Sequence, residues 1–222
     1  MENSEIKIIA IGAHPDDVEL GCGGFLAKAK AEGFTTGIII LTNGDACRSG
    51  DAETRTKEAT KAAKTLKADY FKMLGFEDGR LISDIKTNEL VARELAQLRP
   101  SIVITHYEEE IHPDHIAAYN IVNKAIFLSQ LKRFSPEVYS GPKQTLYYWL
   151  NPKKIINPDL LIDITDVFEI KKKALAAHKS QSSVIKSLDT LGTVYGSLCE
   201  TQYAEGFMLE CPLKVTDINS LL

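Results

Sequence analysis

The chain reads as an α/β fold in one domain spanning 1–222, with a mostly parallel sheet and helices on both faces. Three observations predict it. Short apolar runs rich in β-branched residues recur along the chain, helical patterns separate them, and the strong runs never follow one another as hairpins. The runs are IKIIAIGA (6–13), GIIILT (37–42), the weaker ADYFKML (68–74) and SIVITH (101–106). Between them helices are expected over 22–32, 53–66 and 87–98. Gly33 stops the first, and the last ends before Pro100. A helix from Pro113 to about Leu131 follows the fourth strand. Then come strands 145–150 and 160–165, a helix over 166–180 and an irregular tail. The two late strands either extend the sheet or form a small cap. A βαβα order of this kind is Rossmann-like.

Composition narrows the function classes. The 222 residues carry a net charge of −4 with no basic stripe, which gives no reason to expect nucleic acid as a partner. The N-terminus MENSEIKIIAIGA lacks a basic segment followed by a long apolar one. No apolar run approaches the ~20 residues of a membrane helix, so no membrane association is expected. Cys22, Cys47, Cys199 and Cys211 are scattered without CxxC spacing, which favours a reducing, cytoplasmic home. The late strands and the tail leave room for a homo-oligomer interface.

Ligands of open parallel sheets bind outside the carboxyl ends of the strands. Strand one is followed there by Ala13-His14-Pro15-Asp16-Asp17. Strand four is followed by Thr105-His106-Tyr107, three glutamates (Glu108–Glu110), and Ile111-His112-Pro113-Asp114-His115. Four of the five histidines fall in these two segments. His14 and Asp17, three apart at a strand-to-helix turn, can converge on one point. Pro113 makes His112 an N-cap and sets His115 on the first turn. His14, Asp17 and His115 then offer two imidazoles and a carboxylate, a set that suits Zn2+ with a fourth position open to water. Iron, cobalt or manganese fit the same ligands. Asp16 is left to accept a proton from water. Protonated His112 is left to donate to a developing oxyanion, its charge held by Asp114 or the glutamates. Taken alone, each feature has an ordinary explanation: an aspartate pair caps a helix, and a loop histidine is solvated. Their coincidence at two strand ends is what points to a metal.

Ala13-His14-Pro15-Asp16-Asp17-Val18-Glu19-Leu20-Gly21 and His112-Pro113-Asp114-His115 resemble the two signature motifs of the PIG-L (LmbE-like) deacetylases. The resemblance covers most of the chain. Arg55 and Glu58 match that family's R-x-x-E helix. Lys173, Leu175, His178 and Gln181 fall in a K-x-x-L-x-x-H/Y-x-S-Q-like stretch. Tyr203-Ala204-Glu205-Gly206-Phe207 is similar to the ending of the branch acting on N-acetylglucosaminyl-malate. The resemblance implies zinc on His14, Asp17 and His115, Asp16 as general base, His112 as oxyanion donor and Arg55 in the substrate cleft. The implied substrate is a small N-acetylated sugar. Two departures weaken the malate branch: Ile111 stands where arginine is common, and 190–196 lacks arginines.

Loop 43–52, polar and glycine-bearing, is expected to line the sugar pocket, with Tyr107, Tyr148 and Trp149 as faces for a ring. Three rival readings compete with this one. A dinucleotide-binding module is opposed by a carboxylate pair where a phosphate loop needs glycines; Gly21, Gly23 and Gly24 instead fit close helix-to-sheet packing. A phospho-acceptor receiver is opposed by strand three ending in Lys72-Met73-Leu74-Gly75 without a carboxylate. A catalytically silent sugar- or metal-binding protein of the same fold is the alternative, together with a hydrolase for another N-acyl group.

Overall fold

The structure, a computed structural model, describes residues 5–46, 49–134, 139–151 and 154–213, and of 183–187 the backbone alone. The strands are β1 (Ile8–Gly12), β2 (Thr36–Thr42), β3 (Tyr70–Phe76), β4 (Ile102–His106), β5 (Gln144–Tyr148), β6 (Leu160–Asp163) and β7 (Ala204–Leu209). They form one sheet in the order β3-β2-β1-β4-β5-β7-β6. The first five are parallel, and β7 enters antiparallel between β5 and β6. The late strands therefore extend the sheet and form no cap.

The helices are α1 (Asp17–Ala31), α2 (Ala52–Thr65), α3 (Ile85–Leu98), α4 (Pro113–Ser129), α5 (Phe168–Leu175) and α6 (Ile185–Leu198). β1 and β2 read as continuous apolar runs because helices cover both faces, and every residue of both strands is buried. One core joins the sheet to α1, α2 and α5, with Leu26, Ile38, Ile104 and Phe168 inside it; the other joins the sheet to α3 and α4 through Ile9, Ile39, Leu95 and Ile121. The chain leaves β1 towards β2 on one side and returns to β4 on the other. The strand order thus reverses at β1 and β4, and a crevice opens at their carboxyl ends.

Three expectations fail at the level of elements. The first helix begins at Asp17 rather than 22, and it breaks at Cys22 (φ −144°, ψ 18°). The helix expected over 166–180 ends at Leu175, after which 3-10 turns run through 179–184. The tail, read as irregular, contains α6 and β7. Gly192, Gly196 and the threonines weaken the helical signal, and the buried charge of Glu205 beside Gly206 disguises the strand.

The break in α1 leaves backbone groups without helical partners, and β7 and α5 supply them. Gly24 N and Phe25 N donate to the two oxygens of Glu205 at 2.7 Å each, and Lys171 Nζ donates to Leu20 O at 2.8 Å. Lys171 and Glu205 are themselves a buried ion pair. A Cβ on Gly21 would lie 2.5 Å from the ring of Tyr148, so only glycine lets the first half of α1 sit this close to β5. Lys171→Met strands the Glu205 carboxylate in the core. It should lower the unfolding free energy by about 3–5 kcal/mol in urea titrations.

Candidate metal centre and active site

Asp17 is the focus of the crevice. Its Oδ2 accepts from the backbone N of His14 at 2.7 Å, with His14 Nδ1 at 3.3 Å and His106 Nε2 at 3.2 Å. Its Oδ1 faces His115 Nε2 at 3.3 Å. The rings of His14 and His115 lie 5.3 Å apart. The structure therefore brings together His14, Asp17 and His115, the three residues expected to ligate. The far nitrogen of each imidazole meets carboxylates: His14 Nε2 has Asp114 Oδ2 at 3.2 Å and Asp78 Oδ1 at 3.1 Å, and His115 Nδ1 has Glu110 Oε2 at 3.5 Å. Imidazoles backed by carboxylates, their other nitrogens converging on a third carboxylate, are a donor set of the kind that holds a divalent metal. His14, His112 and His115 also bring one nitrogen each within 4.8 Å of one another.

Electrostatics agree with the geometry. Burial opposes charge on Asp17, but the imidazoles of His115, His106 and His14 overcome it and hold the carboxyl well below its usual range. Burial also opposes charge on His14, yet Asp17, Asp114 and Asp78 raise it to about 12. His115, likewise buried, is raised to about 9 by Asp17 and Glu110. The crevice thus carries a negative potential that favours a cation.

Asp16 sits between Pro15 and the candidate ligand Asp17 in a left-handed backbone (φ 109°, ψ −25°), a strained conformation for a residue with a side chain. Burial and the neighbouring Asp17 charge raise it to about 7, against the pull of Arg55, His178 and His14. Arg55 Nη2 donates to Pro15 O and lies 3.5 Å from Asp16 Oδ2. Arg55 Nη1 reaches Ser180 Oγ at 3.4 Å, and Glu58 accepts from Ser180 N and Oγ at 2.9 and 2.6 Å. Arg55 is therefore buried and committed to the turn that carries Asp16, although it still lines the cavity. That cavity, about 270 Å³, is walled by His14, Asp16, Arg55, Asp78, His112 and Gln181, with Gly44 and Ala46 on the loop side. The rest of the expected pocket loop includes Cys47 and Arg48, which lie outside the described residues. A larger cavity of about 470 Å³ lies at the amino ends of β1 and β4, among Ile8, Phe25, Phe34 and Ile102. It has no converging catalytic groups, so the smaller one is the candidate site.

Several expectations need correction. His112 caps α4 as expected, but its Nδ1 accepts from Asp114 N at 3.2 Å. Burial and the nearby His14 and His115 lower its pKa, and with Nδ1 accepting from the backbone, Nε2 is the nitrogen left to donate. The Asp114 carboxylate acts on His112 through its charge alone. It bonds His14 Nε2, Gly79 N at 2.7 Å and Leu81 N at 3.3 Å. Tyr107 lies edge-on to Trp149 and tilted against Tyr147, and is not among the residues that wall the cavity. Tyr148 and Trp149 are core. Asp78 was not picked out from the sequence, and His106 and the buried pair of Glu19 and His178, 3.4 Å apart, were named there without a role. His106 was visible as a histidine at a strand end. Asp78 reads only as part of a Glu-Asp-Gly turn.

Comparison with known proteins follows from this geometry. Residues 9–126 match the family model described as GlcNAc-PI de-N-acetylase, PIG-L. The diacetylchitobiose deacetylase of Thermococcus kodakarensis is 28% identical over 228 residues, covering 92% of this chain and 83% of that protein. The solved structure of the conserved protein TT1542 from Thermus thermophilus superposes with a TM-score of 0.88 at 31% identity, covering 95% of this chain and 97% of that one. The N,N'-diacetylchitobiose deacetylase of Pyrococcus horikoshii gives 0.81 at 25%, covering 99% and 90%. Asp114→Ala, which frees His14 Nε2 and two backbone N–H groups, should weaken divalent-metal binding by about 10–100-fold in chelator competition.

Proposed function

From the premise that the chain belongs to the PIG-L family of GlcNAc-PI de-N-acetylases, we propose that it hydrolyses the acetamide of an N-acetylglucosamine-type sugar at the crevice of β1 and β4. One observation carries this reading: a buried, uncoordinated carboxylate, Asp16, stands beside the His14, Asp17 and His115 cluster on the wall of a sugar-sized cavity. His14, Asp17 and His115 hold the metal, and zinc suits two imidazoles and a carboxylate. When bound, the metal lowers the pKa of water and polarises the acetyl carbonyl.

The chain's own groups then divide the work. Asp16, its carboxyl raised to about 7, takes the proton of the attacking water. The Nε2–H of His112 donates to the carbonyl oxygen as it gains charge. Protonated Asp16 then passes its proton to the leaving nitrogen as the C–N bond breaks, releasing acetate and the free amine. Arg55 positions the Pro15–Asp16 turn and Gln181 faces the sugar.

Among the described residues Arg55 is the one Lys or Arg on the cavity wall, and it is already bonded to Pro15 O and paired with Asp16. Asp78 lies opposite. A neutral glycan such as diacetylchitobiose therefore suits the described wall better than a malate glycoside, whose carboxylates meet no free cation among the described residues there. Cys22, Cys199 and Cys211 are free thiols, which fits a cytoplasmic setting. Among the described residues no helix is long and apolar enough to cross a membrane.

Acetate release from N-acetylglucosamine, N,N'-diacetylchitobiose and N-acetylglucosaminyl-malate, with metal-free and zinc-loaded protein, tests the reading. Zinc-restored turnover, fastest on diacetylchitobiose, is expected; tight zinc binding without turnover on any of them would leave a silent binding protein. Asp16→Asn is the informative variant because asparagine tolerates the left-handed backbone. It should lose about 10²–10⁴-fold in turnover and keep its zinc. His14→Ala should lose the zinc itself.

A further inference from the structure

His106 closes β4, is fully buried and does not line the cavity, so it is out of reach of substrate. It nonetheless touches both ligand-bearing segments. Its Nε2 lies 3.2 Å from Asp17 Oδ2 and 3.0 Å from the backbone N of Ala13, the residue before His14. Its ring stacks on His115 at 4.0 Å between centroids and 22° between planes. On the far side Tyr148, its register partner on β5, meets it edge-on at 4.8 Å. Tyr148 is in turn fixed by donating to Ile11 O at 3.2 Å.

We propose that His106 is a positioning residue for the metal centre, fixing the Asp17 carboxylate by a hydrogen bond and the His115 ring by stacking. This rests on the assignment of His14, Asp17 and His115 as the ligands. The division of labour at Asp17 follows from the distances. Oδ2 is taken by the backbone N of His14 and by His106, which leaves Oδ1 turned to His115 and the metal. Two groups compete for Nε2, Ala13 N–H as a donor and Asp17 as an acceptor. Ala13 N–H donates to Nε2 in the tautomer protonated on Nδ1; in the other tautomer Nε2–H donates to the charged Asp17 carboxylate, which is the stronger bond. A carboxylate held on one oxygen presents the other in one direction, and such outer contacts typically govern metal affinity by about 10–100-fold.

Two substitutions separate the bond from the stack. His106→Phe keeps an aromatic ring against His115 and removes the bond. His106→Gln keeps a donor for Asp17 and removes the ring. Zinc dissociation constants by chelator competition, visible spectra of the cobalt-loaded proteins and melting temperatures of the metal-free proteins are the readouts. His106→Phe should bind zinc about 10–100-fold more weakly and shift the cobalt spectrum, with the metal-free melting temperature held or raised. His106→Gln should recover at least part of that loss. Parent-like zinc affinity in His106→Phe overturns the proposal. So does an equal loss in both variants that tracks an equal drop in metal-free melting temperature. If His106→Phe fails to fold, His106→Ala is read in the same way. A parent protein that binds no zinc, or a His14→Ala variant that binds it as tightly as the parent, would instead sink the ligand assignment itself.

Discussion

A carboxylate buried among imidazoles governs the whole crevice. Removing the Asp17 charge from water is costly unless it is paired and hydrogen-bonded. The chain meets that cost with the backbone N of His14, three histidine rings and the prospect of a cation. Those partners come from β1, the start of α1, β4 and α4, so the strand order has to reverse where it does. Were β4 anywhere but beside β1, His106 and His115 would not reach Asp17.

Much of the surrounding polar structure serves to hold that point still. Carboxylates stand behind both candidate ligand histidines, Asp114 and Asp78 on His14 and Glu110 on His115. Asp114 also ties the loop after β3 to the start of α4 through Gly79 and Leu81. Arg55, Glu58 and Ser180 clamp the segment after α5 onto α2 and support the strained turn at Asp16. The Lys171 and Glu205 pair gives the broken α1 its missing hydrogen-bond partners, which lets α1 begin at Asp17 itself. The sequence features that looked peripheral, near 55–58, 178–181 and 203–207, are in this sense the supports of the centre.

The distribution of charge explains the chemistry assigned to each group. Asp16 and Asp17 are adjacent in sequence but pushed in opposite directions. Asp17, among imidazoles, stays ionised, whereas Asp16, buried beside that negative charge, has its pKa raised to about 7. Groups of one type driven apart by their surroundings are how acid and base roles are divided within a site. His112 is separated from His14 and His115 in the same way: burial and those two rings lower it, whereas carboxylates raise them.

The sequence by itself determined the parallel core, through β-branched runs spaced by helical patterns, and the candidate metal ligands, through histidines and aspartates grouped after two strands. Both are local signals, legible within a few residues. Only the tertiary structure decided where β7 lies, because its place between β5 and β6 and the burial of Glu205 depend on partners far away in the chain. It also decided that Tyr107 packs near Trp149 and is not among the residues walling the cavity, that Arg55 is bonded to its own site's backbone, and that Asp78 and His106 belong to the centre. These are questions of side-chain direction and of contacts between segments distant in the chain, and no local pattern encodes them.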